Sequence, residues 1–383
     1  MPAASEPPDA AAGELRERFK RVAIVHDWLT IPGGSEQVVL ELLAMFPQAE
    51  LFTSVYDPKP WPPEITDRPV HASFLNRIPG AVTQYPKLLP LMNAAFRSFD
   101  LSRFDLVLSS SHACAKNVRT PPGTPHVCYC HTPMRYAWEE SFLDGEEVSS
   151  AVRVVLPLLL KRLRRRDLEG ARGPTAFVAN SQFVADRIER FYGRSATVVH
   201  PPVDIEHYLS LEHEPADYYL VFGRVVPYKR VDLAVAACAR VGRALKVAGG
   251  GRALESVRAS AEGDVEFLGK VSDGERDRLL RGARALLFPG EEDFGIVPVE
   301  AQAAGVPVIG YGVGGLAESV IDGRTGVLFG EQSETSLADA LERFEAAPLA
   351  DEQLRENARR FGRERFRAEM ADVILASAQT LDA

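Results

Sequence analysis

The sequence predicts an α/β protein built from two doubly wound, Rossmann-like domains. From residue 21 onward, short apolar runs typical of buried strands alternate with helical patterns, which is the order of parallel sheets covered by helices. At 383 residues the chain is longer than one domain usually is, and two domains fit it better. The stiff sequence PPVD at residues 201–204 follows a predicted strand, so we place the domains at residues 21–205 and 206–361.

Composition and charge narrow the class of protein. The hydrophobic fraction of 46% and the charged fraction of 25% are ordinary for a globular protein, and the net charge of −9 argues against general nucleic-acid binding. No apolar run reaches the length of about 18 residues that a membrane-spanning helix needs. The four cysteines form neither a C-x-x-C motif nor a disulfide framework, which fits a reducing cytoplasm. Residues 1–20 are rich in Ala, Pro and Glu, and we expect them to form a disordered tail.

The first predicted strand, at residues 21–26, runs into the glycine loop IPGGSE and then into a helix over residues 37–45. A strand, a glycine loop and a helix in this order form the phosphate-cradling unit of doubly wound sheets, so Gly33 and Gly34 are candidate ligand-binding residues. The G-x-G-x-x-G spacing of a dinucleotide site is absent. The alternative is an ordinary tight turn with a helix capped by Ser35.

His131 is a candidate because it stands at the end of a predicted strand and opens the sequence HTPMRYAW, residues 131–138. Ligands of open α/β sheets bind beyond the carboxyl ends of the strands. The neighbouring His126, Cys128 and Cys130 suggest a metal site, but alternating strand positions face opposite sides of a sheet. We therefore predict no metal site there. The alternative for His131 is a histidine that only caps the strand.

A basic amphipathic helix is predicted over residues 152–166. Leucines and valines form its apolar face, and five Lys and Arg residues between 161 and 166 form its basic face. Helices of this kind can lie on anionic membranes. The alternative is a solvated basic face on a helix that packs into the domain. We expect Pro157 to kink or restart the helix.

Two basic residues follow the first strand of the second domain. Arg224 ends the strand predicted at residues 218–224, and Lys229 lies five residues later in the same loop. An Arg, which binds bidentately, and a Lys, which binds as a point charge, can converge on one phosphate group. The alternative is an ordinary basic loop between a strand and a helix.

The sequence EEDFGIVPVE at residues 291–300 follows a buried strand and enters a predicted helix. If the helix begins near Gly295 or Ile296, its free amides can bind an anion. Carboxylates at Glu292 and Glu300 can pair with sugar and ribose hydroxyls, so the segment suits a nucleotide-sugar. The alternative is an acidic loop that caps a helix, as in any α/β protein.

The segment resembles the E-x7-E motif of the retaining glycosyltransferases of family 4, also called group 1, which have the GT-B fold. The resemblance extends over nearly the whole chain from about Arg21. The string at residues 131–138 resembles a subgroup, the bacterial mannosyltransferases of O-antigen and related polysaccharides. It implies two Rossmann-like domains that face each other across a cleft. It also implies a last helix, at about residues 362–383, that crosses back to the first domain.

The resemblance also implies roles for individual residues. His131 is expected to contact the transferred sugar, Arg224 and Lys229 to hold the diphosphate, and Glu292 to act at the sugar. Gly33 and Gly34 are expected near the diphosphate or the acceptor. The expected donor-binding residues of the second domain are Val271, whose backbone would face the base, with Phe294, Gly295, Ile296 and Glu300.

The implied reaction is the transfer of a hexose with retention of configuration, and the resemblance favours GDP-mannose as donor. The acceptor would be a hydroxyl of a lipid-linked, polyprenyl-linked or polysaccharide glycan, reached from the inner face of the plasma membrane. No metal or other cofactor is expected. The alternatives are a UDP-hexose or other nucleotide-sugar donor, a non-catalytic partner subunit, and a glycosidase that uses Glu292 and Glu300 as acid and nucleophile.

Overall fold

The computed structural model describes residues 8–139 and 150–382. The chain forms two compact units, Met1–Pro202 together with Glu364–Ala383, and Val203–Arg363. Each unit contains one all-parallel sheet with helices packed against it, so the predicted fold class is confirmed. The change between units falls at Pro202–Val203, within the predicted stiff PPVD sequence.

The first sheet has seven strands in the order β3-β2-β1-β4-β5-β6-β7. Its strands are β1 (Val22–His26), β2 (Glu50–Thr53), β3 (Val70–Ala72), β4 (Leu106–Ser111), β5 (His126–Cys130), β6 (Ala176–Ala179) and β7 (Thr197–Val198). The helices before the boundary are α1 (Pro8–Arg18), α2 (Gly34–Met45), α3 (Pro63–Thr66), α4 (Ala81–Gln84), α5 (Leu89–Arg97), α6 (Arg135–Trp138), α7 (Ser150–Gly170) and α8 (Gln182–Tyr192). The central strands β1, β4 and β5 are buried along their whole length, as expected for strands covered on both faces.

The second sheet has six strands in the order β10-β9-β8-β11-β12-β13. Its strands are β8 (Tyr219–Phe222), β9 (Leu245–Ala248), β10 (Val265–Gly269), β11 (Leu286–Phe288), β12 (Val308–Tyr311) and β13 (Gly326–Phe329). The helices of this unit are α9 (Ile205–Leu209), α10 (Val231–Arg240), α11 (Leu254–Ala259), α12 (Asp273–Arg281), α13 (Ile296–Ala303), α14 (Leu316–Ser319), α15 (Glu334–Ala346) and α16 (Asp351–Arg359).

Both sheets reverse their strand order at one point, between β1 and β4 in the first and between β8 and β11 in the second. Ligands of doubly wound sheets bind outside the carboxyl ends of the strands at such a switch point. The sequence therefore delivers the loops after β1 and β4, and those after β8 and β11, to the two positions where a ligand is expected.

The last helix, α17 (Arg363–Asp382), packs on the first unit. Phe366, Met370 and Ile374 are buried in the same core as Ile24 of β1. The Phe366 ring lies edge-on to Tyr129 of β5 with 5.7 Å between ring centroids. The predicted return of the C-terminal helix to the first domain is confirmed.

The predicted disordered tail is wrong for residues 8–18, which form α1. Leu15 and Phe19 are buried in the core of the first sheet, and the Arg16 guanidinium donates to the carbonyls of Ala44 and Met45 at the end of α2. Residues four apart lie on one helix face, so two apolar side chains are enough to dock the segment. The two apolar residues Leu15 and Phe19 were not recognised in the sequence because the segment is dominated by Ala, Pro and Glu. Residues 1–7 lie outside the described residues.

The predicted basic helix exists and is longer than expected, because α7 extends to Gly170 and continues through Pro157. Leu163 is buried against the core near β4, whereas Lys161 and Arg162 are exposed and Leu158 is 73% exposed. The side chains of residues 150–155, which include part of the predicted apolar face, lie outside the described residues. Among the described residues, no helix is both long enough and apolar enough to cross a bilayer.

Candidate active site

Two loops meet at the switch point of the second sheet, one after β8 and one after β11. Lys229, at the end of a 3-10 turn in the first loop, places Nζ 2.9 Å from Oε1 of Glu292 in the second. Arg224, Lys229 and Glu292 line the same small depression, with Phe288 beside them. The structure thus brings together three of the residues that the sequence singled out.

The ion pair between Lys229 and Glu292 is incomplete as a set of hydrogen bonds. Both side chains are about one-fifth exposed, at 20% and 18%. In the described part of the chain, the Lys229 ammonium is the partner of the buried Oε1 of Glu292, which accepts no further hydrogen bond. The Lys229 ammonium also lies 5.5 Å from the centroid of the Phe288 ring. An ammonium has three N–H donors and a carboxylate has more acceptor sites than one ion pair uses, so this pair can also bind polar groups of a ligand.

Arg224 is exposed, and its guanidinium donates to the Tyr228 hydroxyl at 3.1 Å. The next residue after Lys229, Arg230, has a φ of 49° and is the one non-glycine residue with positive φ in the described part of the chain. Its guanidinium pairs with Asp232 at 3.0 Å, in the first turn of α10. A non-glycine residue in this conformation costs about 1–3 kcal/mol, and such residues cluster at functional sites. Here it ends the turn that carries Lys229.

Glycines allow the loops of this site to touch through their backbones. A Cβ on Gly290 would lie 2.7 Å from Lys229 Cα and 2.9 Å from the carbonyl oxygen of Tyr228. A Cβ on Gly315 would lie 2.2 Å from the carbonyl oxygen of Asp293. The Gly315 amide also donates to the carbonyl of Glu292 at 2.9 Å. Sequence reasoning singled out neither Gly290 nor Gly315; the position of Gly290 directly after a strand was the available signal.

Helix α13 begins at Ile296, as predicted, after Gly295 with a φ of 88°. Because Pro298 has no N–H, the first turn offers the amides of Ile296 and Val297. Phe294 is buried, and its ring packs edge-on against Phe361 at 5.4 Å between centroids. The Phe294 side chain therefore anchors the loop, and only its backbone is available to a ligand.

Glu300 lies in the second turn of α13 and faces α9 and α12. It accepts a hydrogen bond from the Tyr208 hydroxyl, and Arg276 lies over the Tyr208 ring at 5.3 Å. Burial raises the pKa of Glu300, although Arg276 and the Tyr208 hydroxyl act in the opposite direction. Val271 precedes α12 and packs, partly buried, against the core that includes Tyr208. Glu300 and Val271 thus border the same region around Tyr208.

In the first unit, Gly33 and Gly34 lie at the exposed start of α2. Gly33 occupies the N-cap position, and Ser35 lies inside the helix, so the alternative of a Ser35 cap is wrong. Glu36, one residue further, is buried, and its carboxylate contacts His26 Nε2 at 3.0 Å.

His131 follows β5, as predicted, and has three polar contacts within the first unit. Its backbone amide donates to the Ser111 carbonyl at 2.9 Å, its carbonyl accepts from the Asn180 side chain at 3.0 Å, and its Nε2 lies 2.8 Å from Ser110 Oγ. Burial, helped by the nearby His112 and His26, lowers the pKa of His131 well below its ordinary value. The imidazole is therefore neutral at physiological pH.

Asp27 is a residue that sequence reasoning missed. It directly follows β1, and its buried carboxylate accepts four backbone N–H groups, from residues 112, 113, 114 and 115, at 2.6–2.9 Å. Burial alone would raise the pKa of Asp27, but His112, His26 and these amides lower it overall. The loop after β4 is an anion-binding nest occupied by the protein's own carboxylate. Its position at the carboxyl end of the first strand was the signal available in the sequence.

The cysteines are all buried, and burial raises the pKa of Cys128 and of Cys238 to about 12. Among the described residues, no group of three or more His, Cys, Asp and Glu side chains could hold a metal ion. The cysteines thus behave as small core residues in this fold.

Cations, carboxylates and helix amides at the switch point of a doubly wound sheet lie where proteins of this two-domain α/β class bind their ligands. Two family models match the chain: Glycosyltransferase Family 4 over residues 32–207, and Glycosyl transferases group 1 over residues 209–361. The chain belongs to this family of GT-B glycosyltransferases.

Curated relatives are similar over part of their length. A D-inositol 3-phosphate glycosyltransferase of Actinosynnema mirum is 32% identical over 214 residues, which are 47% of this chain and 51% of the relative. The Streptomyces avermitilis protein of the same name is 28% identical over 296 residues, 67% of this chain and 61% of the relative. The matched region is therefore about half to three-fifths of the curated relatives' length.

Solved structures show the same fold at low sequence identity. A sucrose-phosphate synthase from Thermosynechococcus elongatus has a TM-score of 0.69 at 18% identity, and covers 93% of this chain and 98% of that one. The lipopolysaccharide outer core galactosyltransferase WaaB has a TM-score of 0.67 at 17% identity, with 93% and 99% covered. The Anabaena protein HepE, solved in complex with UDP-glucose, has a TM-score of 0.66 at 18% identity, with 93% and 99% covered.

Replacement of Gly290 by Ala tests the backbone contact that places Lys229. The added Cβ would meet backbone atoms, so the loop must move, and we expect the free energy of unfolding to fall by about 1–3 kcal/mol. The resemblance implies that Lys229 holds the diphosphate of a nucleotide-sugar, and misplacement of such a group by 1 Å can cost about 10²-fold in rate, so we expect turnover to fall at least tenfold.

Gly330→Ala is the matched control, since a Cβ there meets no atom within 4 Å. Thermal unfolding and steady-state kinetics of the two variants give the comparison. If both variants kept wild-type turnover, the contact at Gly290 would not position Lys229.

Proposed function

We propose that the protein transfers a hexose, most favourably mannose from GDP-mannose, to a hydroxyl of a lipid-linked or polysaccharide glycan, with retention of configuration. The observation that carries the proposal is the convergence of Arg224, Lys229 and Glu292 at the switch point of the second sheet. The family membership of the chain supports the reaction class. The sequence at residues 131–138 supports mannose.

The diphosphate would bind at the two cations. Lys229 has only a carboxylate and an aromatic face as partners in the described residues, and a diphosphate oxygen can take the place of Glu292. Arg224 is exposed and presents a guanidinium, which suits bidentate binding of a phosphate. The amides of Ile296 and Val297 add donors at a helix N-terminus. When Lys229 turns to the diphosphate, the Glu292 carboxylate becomes an acceptor for hydroxyls of the sugar.

The nucleoside would bind on the side of Glu300 and Val271. A carboxylate can accept hydrogen bonds from both ribose hydroxyls, and Glu300 is a partly buried one whose pKa is raised by desolvation, which disfavours its charged form. A cost of this kind is typical of groups kept for function. The backbone at Val271 would then face the base.

Catalysis would be mainly electrostatic. Negative charge builds up on the diphosphate as the glycosidic bond breaks, and preorganised cations stabilise that charge more in the transition state than in the bound donor. The neutral His131 would hydrogen-bond the transferred sugar. We assign no protein nucleophile and propose a substitution in which the acceptor attacks from the side that the diphosphate leaves.

A UDP-hexose is the competing donor, since the structurally similar HepE was solved with UDP-glucose. The alternative of a glycosidase receives no support from the contacts, because Glu292 pairs with Lys229 and Glu300 with Tyr208, each in surroundings that suit a nucleotide-sugar. A non-catalytic partner subunit would bind the nucleotide-sugar without turning it over.

A panel of GDP- and UDP-sugars, with released nucleoside diphosphate as the readout, tests the reaction and identifies the donor. We expect GDP-mannose to be used best. With that donor, Lys229→Ala should lower kcat by about 10²–10³ and change KM much less, because the ammonium acts on the transition state. Lys229→Arg should recover little, since a planar guanidinium does not replace a compact ammonium.

Lys246→Ala is the control for the loss of a partly buried lysine in the same unit. Lys246 is 25% exposed and pairs with Glu266 at 3.1 Å, away from the switch point, so its removal should leave kcat within about twofold. If Lys229→Ala raised only KM, Lys229 would bind the donor in the ground state without acting on the transition state, and the proposed catalytic role would be wrong. If no nucleotide-sugar released its nucleoside diphosphate, the proposed transferase activity would be contradicted. The alternative of a non-catalytic binding subunit would then remain.

We further propose that α7 contacts the anionic inner leaflet, where a polyprenyl-linked acceptor would be met. The exposed Leu158, Lys161 and Arg162 supply an apolar group and two charges, and each charge near such a surface contributes about 1 kcal/mol. Sedimentation with anionic liposomes should show binding that weakens in high salt. The double variant Lys161→Gln/Arg162→Gln should lose about 2 kcal/mol of binding.

The control replaces two exposed arginines of the second unit, Arg240→Gln/Arg258→Gln, and should bind as the wild type does. Binding that ignores salt and anionic lipid, or an equal loss in both double variants, would contradict the contact of α7.

A further inference from the structure

A line of buried polar side chains leads from α2 to His131 beneath the carboxyl ends of β1, β4 and β5. Glu36 Oε1 lies 3.0 Å from His26 Nε2, His26 Nδ1 lies 3.1 Å from Ser110 Oγ, and Ser110 Oγ lies 2.8 Å from His131 Nε2. His26 and Ser110 have no exposed surface, and Glu36 is 5% exposed. The line joins residues that are far apart in the sequence and ends at the proposed sugar-contacting histidine.

We propose that Glu36, His26 and Ser110 are positioning residues that keep the ring proton of His131 on Nε2, so that Nδ1 is presented to the sugar as a hydrogen-bond acceptor. The assignment of the sugar as the ligand rests on the function proposed above. The direction of the hydrogen bonds is argued only from contacts within the first unit and does not depend on the proposed function.

The direction is set at the Glu36 end. Burial alone would raise the pKa of Glu36, but the hydrogen bond and the charge of His26 lower it overall. The carboxylate is therefore ionised at neutral pH and can only accept hydrogen bonds. The partner atom, His26 Nε2, must carry the proton and donate it.

A neutral His26 with its proton on Nε2 has a lone pair on Nδ1. That nitrogen faces two oxygen atoms of Ser110, the hydroxyl at 3.1 Å and the carbonyl at 3.2 Å. A carbonyl cannot donate, so the hydroxyl of Ser110 donates to Nδ1. The Ser110 hydroxyl has a single proton, which it donates to His26. Toward His131 its oxygen can therefore only accept, so His131 Nε2 donates to it.

His131 then has its one proton on Nε2. Its lowered pKa excludes a second proton at neutral pH, so Nδ1 carries a lone pair. In the described part of the chain Nδ1 has no hydrogen-bond partner, and the ring is only partly buried. The free nitrogen can accept a hydrogen bond from a sugar hydroxyl but cannot donate one.

A second ring proton on His26 would reverse the direction of the hydrogen bonds between His26, Ser110 and His131. His26 would donate from Nδ1 to the Ser110 carbonyl, and the Ser110 hydroxyl would be free to donate to His131. The charged and titratable groups that face His26 are Asp27, Glu36, His112 and His131. Spectra at pH about 8 also report whether His26 carries one ring proton or two, and an imidazolium at His26 would overturn the proposal.

Two-bond ¹H–¹⁵N correlation spectra of the ¹⁵N-labelled full chain at pH about 8 report the tautomer of each histidine. The chain has eight histidines, and His131→Gln identifies the signals of His131 by their loss. We expect the Nε2–H tautomer for His131 in the wild type. Ser110→Ala should replace it by a mixture of both tautomers, because Nε2 loses its acceptor.

Ser109→Ala is the matched control. Ser109 lies on the same strand, is also fully buried, and contacts His126 Nε2 at 2.8 Å instead of His131. It should leave the His131 signals unchanged. Glu36→Gln provides a second test if Ser110→Ala does not fold, since an amide can donate or accept and no longer imposes a direction on the line.

Kinetics give a further readout. Loss of one hydrogen bond should lower kcat about five- to tenfold in Ser110→Ala, whereas Ser109→Ala should stay within about twofold of the wild type. An Nδ1–H tautomer in the wild type, or a His131 tautomer that Ser110→Ala and Glu36→Gln leave unchanged, would overturn the proposal. The spectra need no substrate, so failure of the proposed transferase reaction would show separately, as absence of nucleoside diphosphate release.

Discussion

The loop after β8 lies directly against the backbone of Gly290, and the position of Lys229 depends on that contact. On the other side of the same strand exit, Gly315 lies against the backbone of residues 293 and 294 and binds the carbonyl of Glu292. Lys229 and Glu292 meet at 2.9 Å because the segments that carry them are held through backbone atoms rather than through adaptable side chains. The ion pair is therefore preorganised before any ligand binds, which is the property that electrostatic catalysis requires.

The two sheets share a strand order but use their switch points differently. In the first, the amides after β4 are occupied by Asp27, so that loop is closed to an external anion, and the polar side chains beneath it lead to a neutral His131. In the second, the two cations Arg224 and Lys229 line one small depression together with the carboxylate of Glu292. The difference in charge between the two edges supports binding of the diphosphate by the second unit and a polar, uncharged contact by the first.

The sequence predicted what local patterns determine. Alternating strands and helices and the start of α13 at Ile296 follow from periodicity and glycine, whereas the return of α17 was implied by the resemblance. The resemblance implied that Lys229 holds the diphosphate and Glu292 acts at the sugar, but it did not predict the ion pair between them. Contacts between distant residues were not predicted: His26 lies 84 residues from Ser110, and no pattern links them. The docking of α1 by Leu15 and Phe19 was missed because two apolar residues do not stand out in a polar, Ala-rich segment.

The central claim, that Lys229 holds the diphosphate and Glu300 the ribose, is tested most directly by calorimetric titration of GDP and of pyrophosphate. Lys229→Ala should weaken both ligands, whereas Glu300→Gln should weaken GDP by about tenfold or more and leave pyrophosphate within about twofold. Thermal unfolding is the fold control: burial raises the pKa of Glu300, so its ionised form costs stability at pH about 8, and the Gln variant should unfold at no lower temperature. Equal losses of GDP and pyrophosphate in Glu300→Gln would contradict the account.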